Sequence, residues 1–387
     1  MRVGVDATSW ENRRGFGRFA RNAIGRLVEL DRETTYVFVT SDAVDESLLP
    51  RGTERLRVPQ SDSASQGPTA GSSRSLGDLV RLARTASRKE FAAFLFPSHY
   101  SYFPVIRVPT VVGVHDTTAR KYPELLFASR RERAYWRLKE SRAVRGADRL
   151  FTVSAASQDA IASAFGISAE RIAIVPEAPD PVFSPRSRAD VASAVQAIGL
   201  GRGQPFVVYA AGISPHKNIE SLLEAFSRVG EPARLVLVGD LDDGYLSAAT
   251  SVRARIAELG LESRVVMPGF LSDDDLARLY SGAAAAVVPS LSEGFGLPAV
   301  EAAACGSAVV VSDLPAHRET LGTAALLFEP TDVRALAEAL HRLLGDESLR
   351  REVAASCRRA VSHLSWDTAA SRLRDLIAEV AGRRDRG

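Results

Sequence analysis

The stretch AAAAVVPSLSEGFGLPAVEAAACGSAVVVSD, residues 283–313, decides the fold. Its first part, residues 283–290, is an apolar run that predicts a buried strand, and residues 291–297 form a glycine-containing loop at the carboxyl end of that strand. Pro298 suits the first turn of a helix, because its missing N–H has no intrahelical partner there. Gly306 ends this short helix, and a second apolar run follows. A strand, a helix and a strand in this order predict a parallel sheet.

The same alternation runs through both halves of the chain. Strands are predicted at residues 2–6, 35–40, 91–96, 110–116 and 149–154, and again at 206–212, 234–240, 264–269, 284–290 and 307–313. Helices are predicted between them, for example at residues 17–30, 218–229 and 333–344. Continuous apolar strands alternating with helices indicate an α/β fold with two Rossmann-like domains, whose parallel sheets we expect to face an interdomain cleft.

The domain boundary is predicted at a proline-rich segment. Four prolines lie within residues 176–186, where they forbid a helix and disfavour a central strand. We therefore divide the chain into an N-terminal domain, residues 1–182, and a second domain, residues 183–364, followed by a C-terminal segment, residues 365–387. The Ser- and Gly-rich residues 60–75 are interpreted as a surface loop.

Composition indicates an ordinary globular protein. The 387 residues are 45% hydrophobic and 25% charged, with a formal net charge of +2 and two cysteines without C-x-x-C pairing. The sequence shows no signal peptide and no run of membrane-spanning length, so we expect a cytoplasmic protein without a nucleic-acid partner. Residues 1–180 hold 27 Lys and Arg against 21 Asp and Glu. The basic segment 128–149 is interpreted first as a solvated helix face, with contact to a membrane surface or an anionic acceptor as the alternative.

Two glutamates flank the loop and helix of the opening stretch. The amides at the helix start and the helix dipole favour an anion there, and Gly294 and Gly296 let the backbone approach it closely. Glu301 lies one turn into the helix, where it can receive hydroxyls attached to that anion. Glu293 lies on the other side of the turn. An anion between two carboxylates that bind polyols describes a nucleotide diphosphate sugar; the alternative is an ordinary strand–turn–helix with exposed glutamates.

Three further segments follow predicted strands. Lys217 lies at a strand-to-helix junction after Gly212, where a point charge can bind phosphate. His115 ends a strand together with Asp116, and its imidazole can hydrogen-bond a sugar hydroxyl or move a proton; Asp116 or a local backbone group could instead satisfy it. The loop GFGR, 15–18, leads into a helix but lacks the full dinucleotide fingerprint, and simple turn chemistry explains it equally well.

No metal site and no cofactor are predicted. Asp240 and Asp242 have the D-x-D spacing that can hold a metal–diphosphate complex, but with Gly244 they are interpreted as a turn. The acidic run near Asp275 is interpreted as a helix start with Ser272 as its N-cap.

These segments together resemble the GT-B glycosyltransferases of family 4, which are retaining nucleotide-sugar enzymes. The resemblance extends over nearly the whole chain, and its most specific part is the E-x7-E motif at Glu293 and Glu301. The segment SWDTAASRLRDLI, residues 365–377, is similar to the final helix that crosses back onto the N-terminal domain in that family. A donor domain at residues 183–364 and an acceptor domain at residues 1–182 follow from the resemblance.

The resemblance also implies roles for single residues. His115, Lys217 and Glu293 would be catalytic, with His115 and Glu293 facing the transferred sugar and Lys217 stabilising the departing phosphate. Donor contacts would come from Gly15, Gly17, Arg18, Gly212, Pro268, Phe295, Gly296, Leu297 and Glu301. Many relatives carry an arginine shortly before the lysine, whereas residues 213–216 here are ISPH. The second positive charge is therefore assigned to either His216 or Arg18.

The expected reaction moves a hexose-type sugar from a nucleotide diphosphate to a hydroxyl with retention of configuration, without a metal. We favour front-face departure and attack over a covalent intermediate on Glu293. The acceptor would meet His99, Tyr100 and Tyr102, which could stack on a sugar ring or equally pack against the neighbouring helix. Two alternatives are a non-hydrolysing nucleotide-sugar epimerase and an inactive nucleotide-sugar-binding scaffold. The sequence indicates neither the sugar, the base, the acceptor nor the oligomeric state.

Overall fold

The structure is a computed structural model that describes residues 1–12, 15–42, 44–60, 75–88, 90–239 and 246–384. Two compact units make up the fold. The first unit contains Met1–Glu177 together with the segment that begins at Ser365, and the second contains Ala178–Leu364. Each unit is built around its own parallel sheet, which confirms the prediction of two Rossmann-like domains.

The first unit has a seven-stranded sheet. Its strands are β1 (Arg2–Asp6), β2 (Thr35–Thr40), β3 (Glu54–Arg57), β4 (Ala93–Phe96), β5 (Thr110–Gly113), β6 (Arg149–Thr152) and β7 (Ile172–Ile174). Its helices are α1 (Gly15–Phe19), α2 (Gly25–Leu30), α3 (Leu76–Ala86), α4 (Thr118–Lys121), α5 (Pro123–Leu126), α6 (Arg130–Gly146), α7 (Ala155–Phe165) and α16 (Trp366–Arg384). The strand order is β3-β2-β1-β4-β5-β6-β7, so the direction of winding reverses between β1 and β4.

The second unit has a six-stranded sheet. Its strands are β8 (Phe206–Ala210), β9 (Arg234–Val238), β10 (Val265–Gly269), β11 (Ala285–Val288), β12 (Val309–Ser312) and β13 (Leu326–Phe328). Its helices are α8 (Arg188–Ala197), α9 (Ile219–Ser227), α10 (Leu246–Glu258), α11 (Asp273–Gly282), α12 (Leu297–Ala304), α13 (Pro315–Thr320), α14 (Val333–Gly345) and α15 (Glu347–Val361). The order β10-β9-β8-β11-β12-β13 reverses between β8 and β11, and ligands of open parallel sheets bind beyond such a reversal.

The predicted strands are confirmed, and three of the four edge strands were missed. The four residues of β11 are all buried, as are those of β12, because helices cover both faces of a parallel sheet. The three missed strands are β3, β7 and β13, which are edge strands of three or four residues. In β3, ERLR, none of the residues is fully buried, so the apolar pattern that marks a strand is absent.

The C-terminal helix α16 packs on elements of the first unit. Trp366 packs edge-on against Phe19, with 6.1 Å between the ring centroids. The guanidinium of Arg26 on α2 forms an ion pair with Asp367, and Arg372 donates a hydrogen bond to the carbonyl of Ile174 at 2.8 Å. This helix therefore completes the core of the unit that begins the chain.

The helix predicted over residues 17–30 has an interruption. A π-helical segment, Ala20–Ile24, separates α1 from α2. Within it, the Arg21 guanidinium donates to the carbonyls of Trp10 at 2.8 Å and Asn12 at 2.7 Å. The widened turn thus coincides with the arginine that ties the preceding loop to the helix.

Candidate active site

The start of α12 in the second unit has the shape expected for an anion site. Gly296 is the N-cap residue and has left-handed backbone angles of φ 88° and ψ 40°. Within the described residues 246–384, no side chain caps this helix. The carbonyl of Gly296 accepts hydrogen bonds from the amides of Ala299 at 2.9 Å and Val300 at 3.2 Å. Phe295 and Leu297 are buried, so this turn is packed from one side.

Glu293 and Lys217 form a direct ion pair. Lys217 lies on a short 3-10 turn, Pro215–Lys217, after β8, and Glu293 follows β11. Because these two strands are neighbours at the sheet reversal, their carboxyl-end loops meet. The Lys217 Nζ lies 2.7 Å from Glu293 Oε1, and the hydroxyl of Ser290 donates to the same oxygen at 2.7 Å.

The pair is largely shielded from water. The side chain of Glu293 is 9% exposed and that of Lys217 is 18% exposed. Burial alone would raise the pKa of Glu293, but the charge of Lys217 and the hydrogen bonds from Lys217 and Ser290 lower it below its ordinary value. Glu293 is therefore a carboxylate at neutral pH, and it fixes the position of the Lys217 ammonium.

Glu301 is buried, with 2% of its surface exposed. It lies in α12, as the sequence predicted, among buried apolar neighbours on the same helix. Its negative charge contributes, after burial, to raising the pKa of Cys305 to about 12. Gly212 follows β8, where its carbonyl accepts from the Tyr209 hydroxyl at 2.9 Å, and Pro268 lies within β10. The binding roles of these residues stay predictions.

Asn218 holds the Lys217 turn in place. It adopts a left-handed conformation with φ 59° and ψ 39°, so α9 begins one residue later than predicted. Its side-chain amide donates to the carbonyls of Pro289 at 3.0 Å and Pro330 at 2.9 Å, and its Oδ1 accepts from Ser221 at 2.8 Å. These bonds join the loops that follow β8, β11 and β13. Asn218 is thus a positioning residue for its neighbour Lys217.

Replacing Asn218 with glycine is expected to weaken the site without straining the backbone. Glycine adopts φ 59° freely, so the variant removes only the three side-chain hydrogen bonds, each worth about 0.5–1.5 kcal/mol. We expect kcat/KM to fall at least about fivefold if the lost bonds let the Lys217 turn move. The matched control is Ser221→Ala, which removes only one of the three bonds. An unchanged kcat/KM in Asn218→Gly would contradict the positioning role.

His115 lies at the carboxyl end of β5 in the first unit, as predicted. Its side chain is 8% exposed, and its ring packs against Phe19 with 4.9 Å between centroids. Its Nε2 lies 2.8 Å from the carbonyl oxygen of Pro97, so this nitrogen carries the hydrogen and donates it. The Nδ1 is buried and has no hydrogen-bond partner among the described residues. Burial lowers the pKa of His115, which leaves Nδ1 as an acceptor.

The glycine loop after β1 contains one sterically required glycine and one open position. A Cβ on Gly17 would lie 1.9 Å from the carbonyl oxygen of Asn12, whereas a Cβ on Gly15 would meet nothing within 4 Å among the described residues. Arg18 is half-buried on the same helix. Gly17 therefore serves the packing of its own loop, and only Gly15 leaves room beside the backbone.

This difference predicts opposite outcomes for two alanine variants. Gly17→Ala must displace the backbone of Asn12, and overpacking of this kind typically costs about 1–3 kcal/mol. We expect its melting temperature to fall by on the order of 2–12 °C, at 2–4 °C per kcal/mol for a unit of this size. Gly15→Ala is expected to melt like the wild type. If Gly15→Ala also keeps the wild-type KM for its donor, the donor contact predicted for Gly15 is wrong.

The three residues predicted to meet the acceptor form one aromatic segment. Tyr100 stacks on Phe16 of α1 with 5.4 Å between centroids, and its other neighbours are His99 and Trp136. His99 is 2% exposed, and burial lowers its pKa to about 3. Tyr102 packs against the core residue Phe96, with 5.1 Å between centroids. Of the three, Tyr100 is the one that links the glycine loop to α6.

Two sets of comparisons identify the family. The family described as "Glycosyl transferases group 1" matches residues 192–359, and "Glycosyltransferase Family 4" matches residues 13–182, so the two matches together include every strand of both sheets except β1. The "O-antigen chain mannosyltransferase B" of Escherichia coli is 28% identical over 368 residues, which cover 91% of this chain and 93% of that protein. The chain belongs to the family 4 glycosyltransferases.

Other relatives agree with this assignment. The "MMP alpha-(1->4)-mannosyltransferase" of Mycolicibacterium hassiacum is 36% identical over 239 residues, or 60% of this chain and 54% of that protein. The solved structure of the Anabaena protein HepE in complex with UDP-glucose superposes with a TM-score of 0.77 at 19% identity, covering 98% of this chain and 100% of that chain. The glycosyltransferase thus has the GT-B fold, and the two relatives reported above are named as mannosyltransferases.

Sequence reasoning missed three residues of this candidate site. Asn218 and Ser290 bond to its loops, and His317 lies against Gly296, where a Cβ would be 2.6 Å from the ring. A usable signal existed for each, since all three follow a strand of the parallel sheet, as Lys217 and Glu293 do.

Asp240 and Asp242, which have the D-x-D spacing, lie outside the described residues. Within those residues, no cluster of three or more His, Cys, Asp or Glu suits a metal ion, and no helix has the length and apolarity to cross a bilayer.

Proposed function

We propose that this glycosyltransferase moves a hexose-type sugar from a UDP- or GDP-sugar to a hydroxyl group of a glycan, lipid-linked or small-molecule acceptor. The observation that carries the proposal is the Lys217–Glu293 ion pair at 2.7 Å, beside the uncapped start of α12. A cation and a helix start together favour a diphosphate. A structural neighbour at 19% identity has been solved with UDP-glucose, and two relatives, at 28% and 36% identity, are named as mannosyltransferases.

The transition state of this reaction separates charge. The sugar becomes an oxocarbenium ion while the C1–O bond to the diphosphate breaks, so negative charge grows on the leaving phosphate oxygen. Lys217 and the amides of the α12 turn would stabilise that charge, and this is the reason for proposing a reaction that needs no metal. The departing phosphate would take the proton of the acceptor hydroxyl, with attack on the face that the phosphate leaves and retention of configuration.

Three further residues have proposed roles. His115 would accept a hydrogen bond from a hydroxyl of the transferred sugar through Nδ1, because Nε2 already donates to Pro97. Glu301 would hold the ribose hydroxyls of the nucleotide. Tyr100 would contact the acceptor. These assignments share one requirement, that a nucleotide sugar binds to this chain.

The function is tested with purified protein, UDP-glucose, GDP-mannose and a panel of sugar and lipid-linked acceptors. The expected result is a glycosylated acceptor whose anomeric configuration, measured by NMR coupling constants, matches that of the donor. Activity should persist with EDTA. Reactions without acceptor distinguish an epimerase, which converts the donor alone. Inversion of the anomeric centre would overturn the retaining mechanism, and loss of activity in EDTA that Mg²⁺ or Mn²⁺ restores would overturn metal independence.

We also propose that α6 contacts an anionic membrane surface, as the basic segment 128–149 suggested. One face of this helix carries Arg131, Tyr135, Leu138 and Arg142, and all four are exposed. Tyr135 is 44% and Leu138 54% exposed, and the two arginines flank them on the same face. Cations around two apolar side chains suit an anionic interface.

Reversing two of these charges is expected to reduce binding to anionic vesicles. Each cation near such a surface contributes about 1 kcal/mol, so Arg131→Glu with Arg142→Glu should lower the partition coefficient on phosphatidylglycerol vesicles at least about tenfold. The matched control is Arg358→Glu with Arg359→Glu, which makes the same charge change on exposed residues of α15. Sedimentation with vesicles measures both. Equal loss in the two double variants would indicate a net-charge effect and contradict a site on α6.

A further inference from the structure

His317 is a buried histidine that packs against Gly296 and has no part in the proposed reaction. It lies on α13, and its exposed surface is 0%. Its Nδ1 lies 2.8 Å from the carbonyl oxygen of Ser312, and because a carbonyl only accepts, Nδ1 carries a hydrogen. The second ring nitrogen, Nε2, is buried and has no hydrogen-bond partner among the described residues. A buried nitrogen without a partner is rare in folded proteins and calls for an explanation.

The edge of the His317 ring that carries Nε2 lies directly against the turn at Gly296. A Cβ built on Gly296 would lie 2.6 Å from His317 Cδ2 and 2.9 Å from Nε2. The ring therefore fills the space that the missing side chain leaves at the N-cap of α12. An anion that binds at the start of this helix would lie across a single turn of backbone from Nε2.

Several charged groups act on the ring. Burial is the largest effect and lowers the pKa of His317; Lys217 lowers it further. Glu293 and Asp313 raise it, together with the hydrogen bond to Ser312, but they do not outweigh burial. The ring is thus neutral in the ligand-free site, with a lone pair on Nε2. The charge of Glu293 is neutralised only while the ammonium of Lys217 stays beside it.

A diphosphate changes this balance in two ways. It adds negative charge at the start of α12, and an anion near an imidazole favours the protonated ring. It also attracts the ammonium of Lys217, which now neutralises Glu293 at 2.7 Å. Both changes favour the protonated ring, since one adds a negative charge near it and the other leaves the carboxylate of Glu293, which already raises the pKa of His317, without its charge partner.

We propose that His317 takes up one proton from solvent when a nucleotide sugar binds, and that the resulting imidazolium holds the Gly296 turn and Glu293 while Lys217 serves the diphosphate. This inference rests on the donor site of the proposed function. It makes donor affinity depend on pH. A group that gains a proton in the complex favours binding at low pH, so affinity weakens as pH rises, until it levels off above the value at which the bound form also loses the proton.

The test is calorimetric titration with UDP-glucose and GDP-mannose, in the absence of acceptor. The diphosphate of a nucleotide sugar is esterified at both ends, so the ligand itself does not titrate near neutral pH. Repeating the titration at pH 7 in buffers of different ionisation enthalpy gives the number of protons taken up, from the slope of measured heat against buffer enthalpy. We expect uptake of a substantial fraction of one proton by the wild type.

The key variant is His317→Asn, whose amide nitrogen can still donate to the Ser312 carbonyl while the titratable ring is gone. We expect binding to persist with a slope near zero. The controls are His341→Asn and His363→Asn, both on the exposed surface of the same unit and away from the site; both should keep the wild-type slope. In case His317→Asn does not fold, ¹⁵N NMR of the wild-type imidazole rings reports directly whether His317 becomes protonated when ligand is added.

The outcomes separate the two proposals. Binding without buffer dependence, an unchanged slope in His317→Asn, or a ring that stays neutral in the ¹⁵N spectrum would overturn the role of His317 and leave the proposed function standing. The absence of any binding heat with both nucleotide sugars, together with no transfer activity, would overturn the proposed function and this inference with it.

Discussion

Replacing Lys217 with alanine is expected to lower kcat by at least about a hundredfold. The ion pair with Glu293 at 2.7 Å keeps the ammonium in the site, and one charged group that stabilises charge in a transition state is typically worth about 3–4 kcal/mol. The loss should appear in kcat more than in KM, because the charge on the leaving phosphate grows only as the bond breaks. Steady-state kinetics with saturating donor and acceptor measures it.

The structural effect of the same substitution can be separated from the catalytic one. Without Lys217 the buried carboxylate of Glu293 keeps Ser290 as a hydrogen-bond donor but loses its charge partner, and breaking a buried pair typically costs about 3–5 kcal/mol. The double variant Lys217→Ala with Glu293→Gln removes the unpaired charge, so its melting temperature should recover towards that of the wild type. Its kcat should stay low. A kcat within about threefold of wild type in Lys217→Ala would contradict the role of this residue.

The sheets could be predicted from the sequence because their inner strands are continuous apolar runs. The run that contains β11 is buried on both faces, and its pattern is unambiguous. The edge strand β13 has only three residues, two of them half-buried, which is too short for any periodicity. Edge strands owe their conformation to a neighbour that lies far away in the sequence, as β13 does to β12, and local patterns do not contain that information.

The site residues were predictable singly but not as a set. Lys217 and Glu293 each follow a strand, which is a local observation, yet 75 residues and three strands separate them along the chain. Their contact depends on the reversal of strand order that makes β8 and β11 neighbours. Asn218 was missed because a helix pattern over 218–229 hides its left-handed conformation. His317 was missed because its importance comes from packing against Gly296, a residue of another loop.

The alanine variant of Gly296 is expected to have the second large effect, because two costs add at this position. The backbone angle φ is 88°, where a residue with a Cβ is strained by about 1–2 kcal/mol. The new Cβ would also lie 2.6 Å from the His317 ring, which is fully buried and has no free space to move into, and such overpacking costs about 1–3 kcal/mol. Together they should lower the melting temperature by on the order of 4–20 °C.

The control variant isolates the contact with His317 from the backbone strain. Gly322 also has positive φ, at 52°, but a Cβ there would meet nothing within 4 Å among the described residues, so Gly322→Ala carries only the strain. We expect Gly296→Ala to melt lower than Gly322→Ala and to lose at least about tenfold in affinity for nucleotide sugar, because the turn that offers its amides must move. Adding His317→Ala to Gly296→Ala should recover part of the stability. Equal melting temperatures for Gly296→Ala and Gly322→Ala, with unchanged donor affinity, would contradict this prediction. They would show that the Gly296 turn tolerates a side chain and that the His317 ring does not fix its position.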